Sequence, residues 1–137
     1  MADTEDALPA GERTRRAVLG DAHVDAAQAA TTEFDAPFQD LITSSAWERV
    51  WSRADWSPRE RSMVTIALLA ALGHEEELAM HIRATANTGA SAEDIRESLM
   101  HVAIYAGVPA ANTAFRIAKR TLAELAEPNA TAAGDPP

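Results

Sequence analysis

Ser57-Pro58-Arg59-Glu60-Arg61-Ser62-Met63-Val64-Thr65-Ile66-Ala67-Leu68-Leu69-Ala70-Ala71-Leu72-Gly73 is the stretch on which the fold turns. Ser57 can cap a helix, Pro58 suits the first helical position where no N–H is needed, and Glu60 can reach back to close a capping box. The helix should run to Gly73. Met63, Ile66, Ala67, Ala70 and Ala71 make one face while Leu68, Leu69 and Leu72 lie on other sides, so the helix is apolar nearly all round. Such a helix belongs at the centre of a bundle or in a subunit interface.

Downstream, Glu75 to about Thr88 reads as a helix closed by Gly89, a good left-handed C-cap. Ser91-Ala-Glu-Asp94 then caps another, with Ile95, Leu99, Val102 and Ala106 at helical spacing before Gly107 and Pro109 interrupt it. A last helix spans about Ala110 to Leu125 and carries Phe115, Ala118 and Leu122. Upstream, Arg13–Leu19, Val24–Thr31 and Pro37–Trp51 are further helical segments, separated by Gly20-Asp21 and Phe34-Asp35-Ala36. No segment alternates like a strand, and there is no short repeat. The expected class is all-α, one helical domain over 12–125, with small, polar, Pro- and Gly-rich ends at 1–11 and 126–137 that cannot offset their own ordering entropy.

The chain has 137 residues, no cysteine, and a formal charge of −9. Its length allows a core without disulfides or structural metal. Lack of cysteine excludes a disulfide framework, a thiolate zinc site and a cysteine nucleophile. With no basic-then-apolar leader and no apolar run of membrane-spanning length, the expected location is the cytoplasm. The charge is unevenly placed. Asp3, Glu5, Asp6 and Glu12 in the first twelve residues, and Glu124, Glu127 and Asp135 in the last fourteen, face no base in those segments. The intervening chain, 14 acids against eleven arginines and one lysine, is close to neutral. It can accept an anionic small molecule, but it forms no basic patch for nucleic acid.

Four histidines are present, His23, His74, His81 and His101. His74, Glu77 and His81 fall at spacings that share one face of a continuous helix. They admit three readings: a metal site, which lacks the HExxH or paired ExxH pattern; a plain helix surface; or a general acid or base on His81 oriented by a carboxylate. Trp47 and Trp51, one turn apart among only seven aromatics, are either packing or a ligand wall. Arg53, Arg59, Arg61 and Arg83 flank the apolar helix; the planar fork of any that points into a cavity suits a carboxylate. Tyr105, the only tyrosine, reads first as a buried core residue, and otherwise as a phenol donor to a carbonyl oxygen.

Several strings, in order and at consistent spacing, carry a resemblance: Arg15-Arg16-Ala-Val-Leu-Gly-Asp-Ala-His23-Val-Asp25, Phe38-Gln-Asp-Leu-Ile-Thr43, Trp47-x-x-x-Trp51, Arg61 through Gly73, Glu76-Glu-Leu-Ala-Met-His81 and Tyr105-Ala-Gly-Val-Pro-Ala-Ala-Asn112. Over roughly residues 12–123 the chain resembles the carboxymuconolactone decarboxylase family. The resemblance implies a helical fold of the alkylhydroperoxidase-D-like type and a homo-oligomer, a hexamer built as a trimer of dimers. It implies cofactor-free decarboxylation of a lactone dicarboxylate in the β-ketoadipate pathway of protocatechuate catabolism, with no metal needed; composition and charge separately point to no membrane or nucleic-acid partner. The redox members of that superfamily use Cys-x-x-Cys-x-x-x-His; registered on His81, their cysteine positions fall on His74 and Glu77, which excludes thiol chemistry here. By the same implication His81 donates the proton, His23 and Tyr105 are candidates for the oxyanion contact, Arg61 or Arg83 holds the retained carboxylate, and Trp47 and Trp51 form an apolar wall. One departure is Glu48, where the family pattern has a small residue after the first Trp; it is expected to face outward. The alternatives are a non-catalytic oligomer or ligand-binding module of the same fold, or a decarboxylase or isomerase of a related lactone.

Overall fold

The computed structural model describes residues 8–127. Seven α-helices and one π-helix account for most of them, and no strand occurs among the described residues: α1 (Ala10–Leu19), α2 (Asp21–Ala30), α3 (Ala36–Ile42), π1 (Thr43–Trp51), α4 (Pro58–Leu72), α5 (Glu75–Thr88), α6 (Ala92–Tyr105) and α7 (Val108–Ala126). The all-α expectation holds. Ala10, Gly11 and Ala126, read as belonging to the unstructured ends, are helical. Residues 1–7 and 128–137 lie outside the described residues.

The chain divides into two compact units, residues 1–61 and 62–137. In the first, α1 packs against π1 and α2, and α3 runs directly into π1. Val18, Val24 and Trp47 are its buried apolar side chains. The close fit of α1 on π1 depends on Gly11, where a Cβ would meet the Thr43 carbonyl oxygen and approach Glu48 Cβ to 3.1 Å. The sequence reading runs one α-helix from Pro37 to Trp51; instead, the hydrogen bonding widens at Thr43 into a nine-residue π-helix. Ser52 closes it by donating to the Trp47 carbonyl from both its backbone N–H at 2.9 Å and its hydroxyl at 2.7 Å. Thr14 of α1 shares a 2.6 Å hydrogen bond with that hydroxyl.

In the second unit the core is assembled from Ile66 and Ala70 of α4, Leu78 and Ile82 of α5, Ile95, Leu99 and Val102 of α6, and Ala111, Ala114, Ile117 and Ala118 of α7. Small residues along α7 let α5 and α6 approach closely. A buried 2.7 Å hydrogen bond from Ser62 Oγ to Thr88 Oγ1 satisfies two hydroxyls that would otherwise be costly to bury.

The cap signals form as read. Ser57 N–H donates to Glu60 Oε1 at 2.9 Å while Glu60 N–H donates to Ser57 Oγ, and the bond from the Ser57 N–H is the first cause that holds the Glu60 carboxyl below its ordinary range. Ser91 and Asp94 close the corresponding box on α6, and Gly89 ends α5 in the left-handed region. Of the two settings read for α4, the single chain does not supply burial all round: Ser62, Ile66 and Ala70 are buried, but Leu68 is 57% and Leu72 68% exposed, because only one side of the helix meets neighbours. One expectation needs correction. α6 stops at Tyr105, so Ala106 lies beyond it as the C-cap rather than on its core stripe.

Candidate functional site

In the first unit, Trp47 and Trp51 do come together. Their ring centroids are 5.2 Å apart with planes tilted by 38°, within the range that aromatic pairs prefer. Trp47 is buried and Trp51 half-buried, so the pair presents one edge to solvent from π1. Arg61 lies near Trp56, its guanidinium carbon 6.0 Å from the ring centroid, and one Nη2 hydrogen goes to the Arg53 carbonyl at 3.0 Å. Its buried Nε has no acceptor. His23 stands on the exposed side of α2, and the neighbouring Asp21 carboxylate is taken by Arg16 at 3.0 Å rather than by the histidine.

The second unit holds the other candidates. His81 is 7% exposed, on the α5 face that also buries Leu78, Ile82 and Thr85. His74 is the N-cap of α5, outside its regular turn, and both it and Glu77 are exposed. The shared face expected for His74, Glu77 and His81 is therefore not formed, and no cluster able to hold a metal ion occurs among the described residues. Arg83 is two residues from His81 but on the exposed side of α5, 4.0 Å from Glu124. Tyr105 corrects the reading of a buried core tyrosine: it is 85% exposed at the end of α6, stacked on His101 with centroids 6.2 Å apart.

Sequence reasoning passed over a cavity of about 410 Å³ in the first unit, whose lining includes Arg15, Gln28, Gln39, Thr43, Asp40 and Glu48. Glu48 is exposed, as expected, yet it also borders this cavity. The signal available in the sequence was the adjacent pair Arg15-Arg16, two cations that α-helical geometry sends in different directions.

A profile of the Carboxymuconolactone decarboxylase family matches residues 36–120. The chain is 41% identical over 115 residues to a 4-carboxymuconolactone decarboxylase of Acinetobacter baylyi, covering 84% of this chain and 86% of that protein. It is 33% identical over 117 residues to a nitrosuccinic acid decarboxylase of Metarhizium robertsii, covering 85% of this chain and 82% of the relative. A 4-carboxymuconolactone decarboxylase of Pseudomonas putida matches at 46% over 44 residues, 32% of this chain and 92% of that sequence. An all-α, cysteine-free chain whose relatives are decarboxylases falls in the class of helical carbon–carbon lyases. The chain belongs to the Carboxymuconolactone decarboxylase family.

Proposed function

We propose that the protein decarboxylates 4-carboxymuconolactone to the β-ketoadipate enol-lactone, in the cytoplasm, within protocatechuate catabolism. The observation that carries this reading is 41% identity across most of both chains to an enzyme of that name. The substrate is a butenolide whose γ carbon bears both a carboxylate and an acetate arm. Its C–C bond to the carboxylate breaks, CO₂ leaves, and the electron pair moves through the ring double bond onto the lactone carbonyl oxygen. The resulting dienolate takes a proton at the α carbon. The ring is its own electron sink, so the protein needs to supply a proton donor, a donor to the growing oxyanion, and a cation for the retained carboxylate. No organic cofactor or metal is required by this electron flow.

His81 is assigned as the proton donor, His23 and Tyr105 as the oxyanion candidates, and Trp47 with Trp51 as the apolar wall. His23 and Tyr105 are solvent-exposed in the single chain, so either acts only when another surface excludes water from it. A homo-oligomer of the alkylhydroperoxidase-D-like type, a hexamer, meets that need. Its support is the unpartnered apolar row Val64, Leu68 and Leu72 on α4, with Ile104 on α6. Of the two arginines proposed for the retained carboxylate, Arg61 has a buried Nε without an acceptor, whereas Arg83 is exposed beside Glu124. Arg61→Lys is expected to raise KM about tenfold with kcat little changed, since a lysine cannot reproduce the planar fork. A steady-state titration with the lactone checks this; an unchanged KM transfers the role to Arg83.

The nitrosuccinic acid relative favours a wider substrate range. Nitrosuccinate, like the lactone, contains a succinate unit in which the departing carboxylate sits on a carbon attached to an electron sink. In the lactone the sink is the conjugated ring; in nitrosuccinate it is the nitro group, which holds the electron pair as a nitronate until the carbon is protonated. We expect CO₂ release from enzymatically prepared carboxymuconolactone, and slower release from 2-nitrosuccinate, measured side by side. Absence of turnover with both, in a well-folded oligomer, would favour the non-catalytic module. Turnover of nitrosuccinate alone would make this chain a decarboxylase of open-chain succinates.

A further inference from the structure

Arg15 and Arg16 are adjacent on α1 and differ in their ion pairing. Arg16 is closely paired, although its Nε is buried without an acceptor: Asp21 lies at 3.0 Å, Asp25 at 2.9 Å, Gln28 at 3.2 Å and Glu12 at 3.9 Å. Those acids raise its pKa, the hydrogen bond to Asp21 most of all. Arg15 has no ion pair among the described residues. Its Nη2 donates to Gln39 Oε1 at 3.2 Å, and its Nε is buried with no acceptor. Loss of solvent is the largest influence on its guanidinium, and it lowers the pKa. Glu12, in the same cavity lining, acts on it through space and offsets part of that loss, so Arg15 is a half-buried cation with a counter-charge nearby but no carboxylate bonded to it.

The side chain borders the 410 Å³ cavity of the first unit, a volume in the range of small-molecule sites. Gln39 accepts from Arg15 through its oxygen, which leaves its amide nitrogen as a second donor, and Thr43 and Ser44 add hydroxyl oxygens to the same lining. The cavity's acids set the limit on charge. Glu12 is engaged by Gln28 Nε2 at 2.6 Å and by Arg16, but Asp40 and Glu48 are exposed and have no such partner. One carboxylate can be matched at Arg15, while a second would meet like charge.

We propose that this cavity is a binding site for a small oxygen-bearing monocarboxylate, with the carboxylate on the Arg15 guanidinium and a keto or hydroxyl oxygen within reach of Gln39. The site lies wholly within the first unit and does not depend on the decarboxylase reading. Levulinate, a keto monocarboxylate, is a suitable probe, with its methyl ester as the uncharged control. Titrated into the full-length protein at fixed ionic strength and followed by thermal shift and calorimetry, levulinate should give a saturable rise in Tm, and the ester none. Arg15→Gln should weaken levulinate binding at least tenfold, and Arg61→Lys should leave it unchanged. Arg15→Lys, which keeps the charge without the fork, should fall between and stands in if the glutamine variant does not fold. The proposal is overturned if no saturable shift occurs, if the ester binds as well as the acid, or if a folded Arg15 variant binds with wild-type affinity.

Discussion

His81→Ala should lower kcat for the lactone by about 10²–10⁴-fold, the usual contribution of a general acid. That corresponds to roughly 3–5 kcal/mol of transition-state stabilisation. The argument begins with position. α5 buries Leu78, His81, Ile82, Thr85 and Thr88 along one helical face, so the imidazole is held on the packed side of its helix rather than swinging in solvent. A fixed rotamer is what proton delivery to a single carbon demands. Burial also raises the competing account, that His81 merely fills the core, and the two differ in what they predict. A structural histidine would lower Tm and leave turnover per folded molecule near the wild-type value. An acid would lower turnover in protein whose helicity and oligomeric state are intact. His81→Gln, closer in size and still able to hydrogen bond, separates them further: it should recover stability and not activity. A His81→Ala enzyme with near-wild-type kcat removes the role.

The helix starts were legible because capping is local chemistry. Ser57 with Glu60, Ser91 with Asp94, and Gly89 each act within a few residues, and all three signals formed where they were read. The Trp pair was legible for the same reason, being one turn apart on one segment. What escaped were properties set by distant neighbours. Nothing in the apolar spacing of 37–51 distinguishes an α-helix from the π-helix that begins at Thr43; the wider turn is accompanied by the Ser52 double donation to Trp47 and by α1 lying against it. Tyr105 looked like a core residue because it is aromatic and rare, yet α6 ends there and leaves it outside. The His74, Glu77 and His81 triad assumed a continuous helix, whereas the helix starts one residue too late to include His74. Arg15 was invisible as a site because sequence cannot say which of two neighbouring arginines will find the acids.

Gly11→Ala carries the largest expected cost to stability, and its sign makes it informative. In an ordinary helix the exchange would stabilise by roughly 0.5–1 kcal/mol, since glycine loses more backbone freedom on folding. Here the new methyl group would meet the Thr43 carbonyl oxygen and come within 3.1 Å of Glu48 Cβ and 3.3 Å of Glu48 N. Two of these three are backbone atoms of π1, which cannot rotate away as a flexible side chain would. Relief requires α1 and π1 to separate, so the cost falls in the overpacking range of about 1–3 kcal/mol. For a chain of this size the change in Tm is then several degrees, about 2–6 °C per kcal/mol. Gly73→Ala is the control. Gly73 has a φ of +77° with nothing near its absent Cβ, so that variant suffers local backbone strain but disturbs no packing. Thermal unfolding orders the two, and near-UV circular dichroism supplies the mechanism. π1 carries Trp47 and Trp51, so pushing it away from α1 should alter the signal of the Trp pair in the Gly11 variant only. Equal or greater stability of Gly11→Ala, with an unchanged near-UV spectrum, would mean that α1 does not hold π1 in place. A shifted Trp pair together with a raised KM for the lactone would instead connect this helix contact to the apolar wall proposed for the substrate.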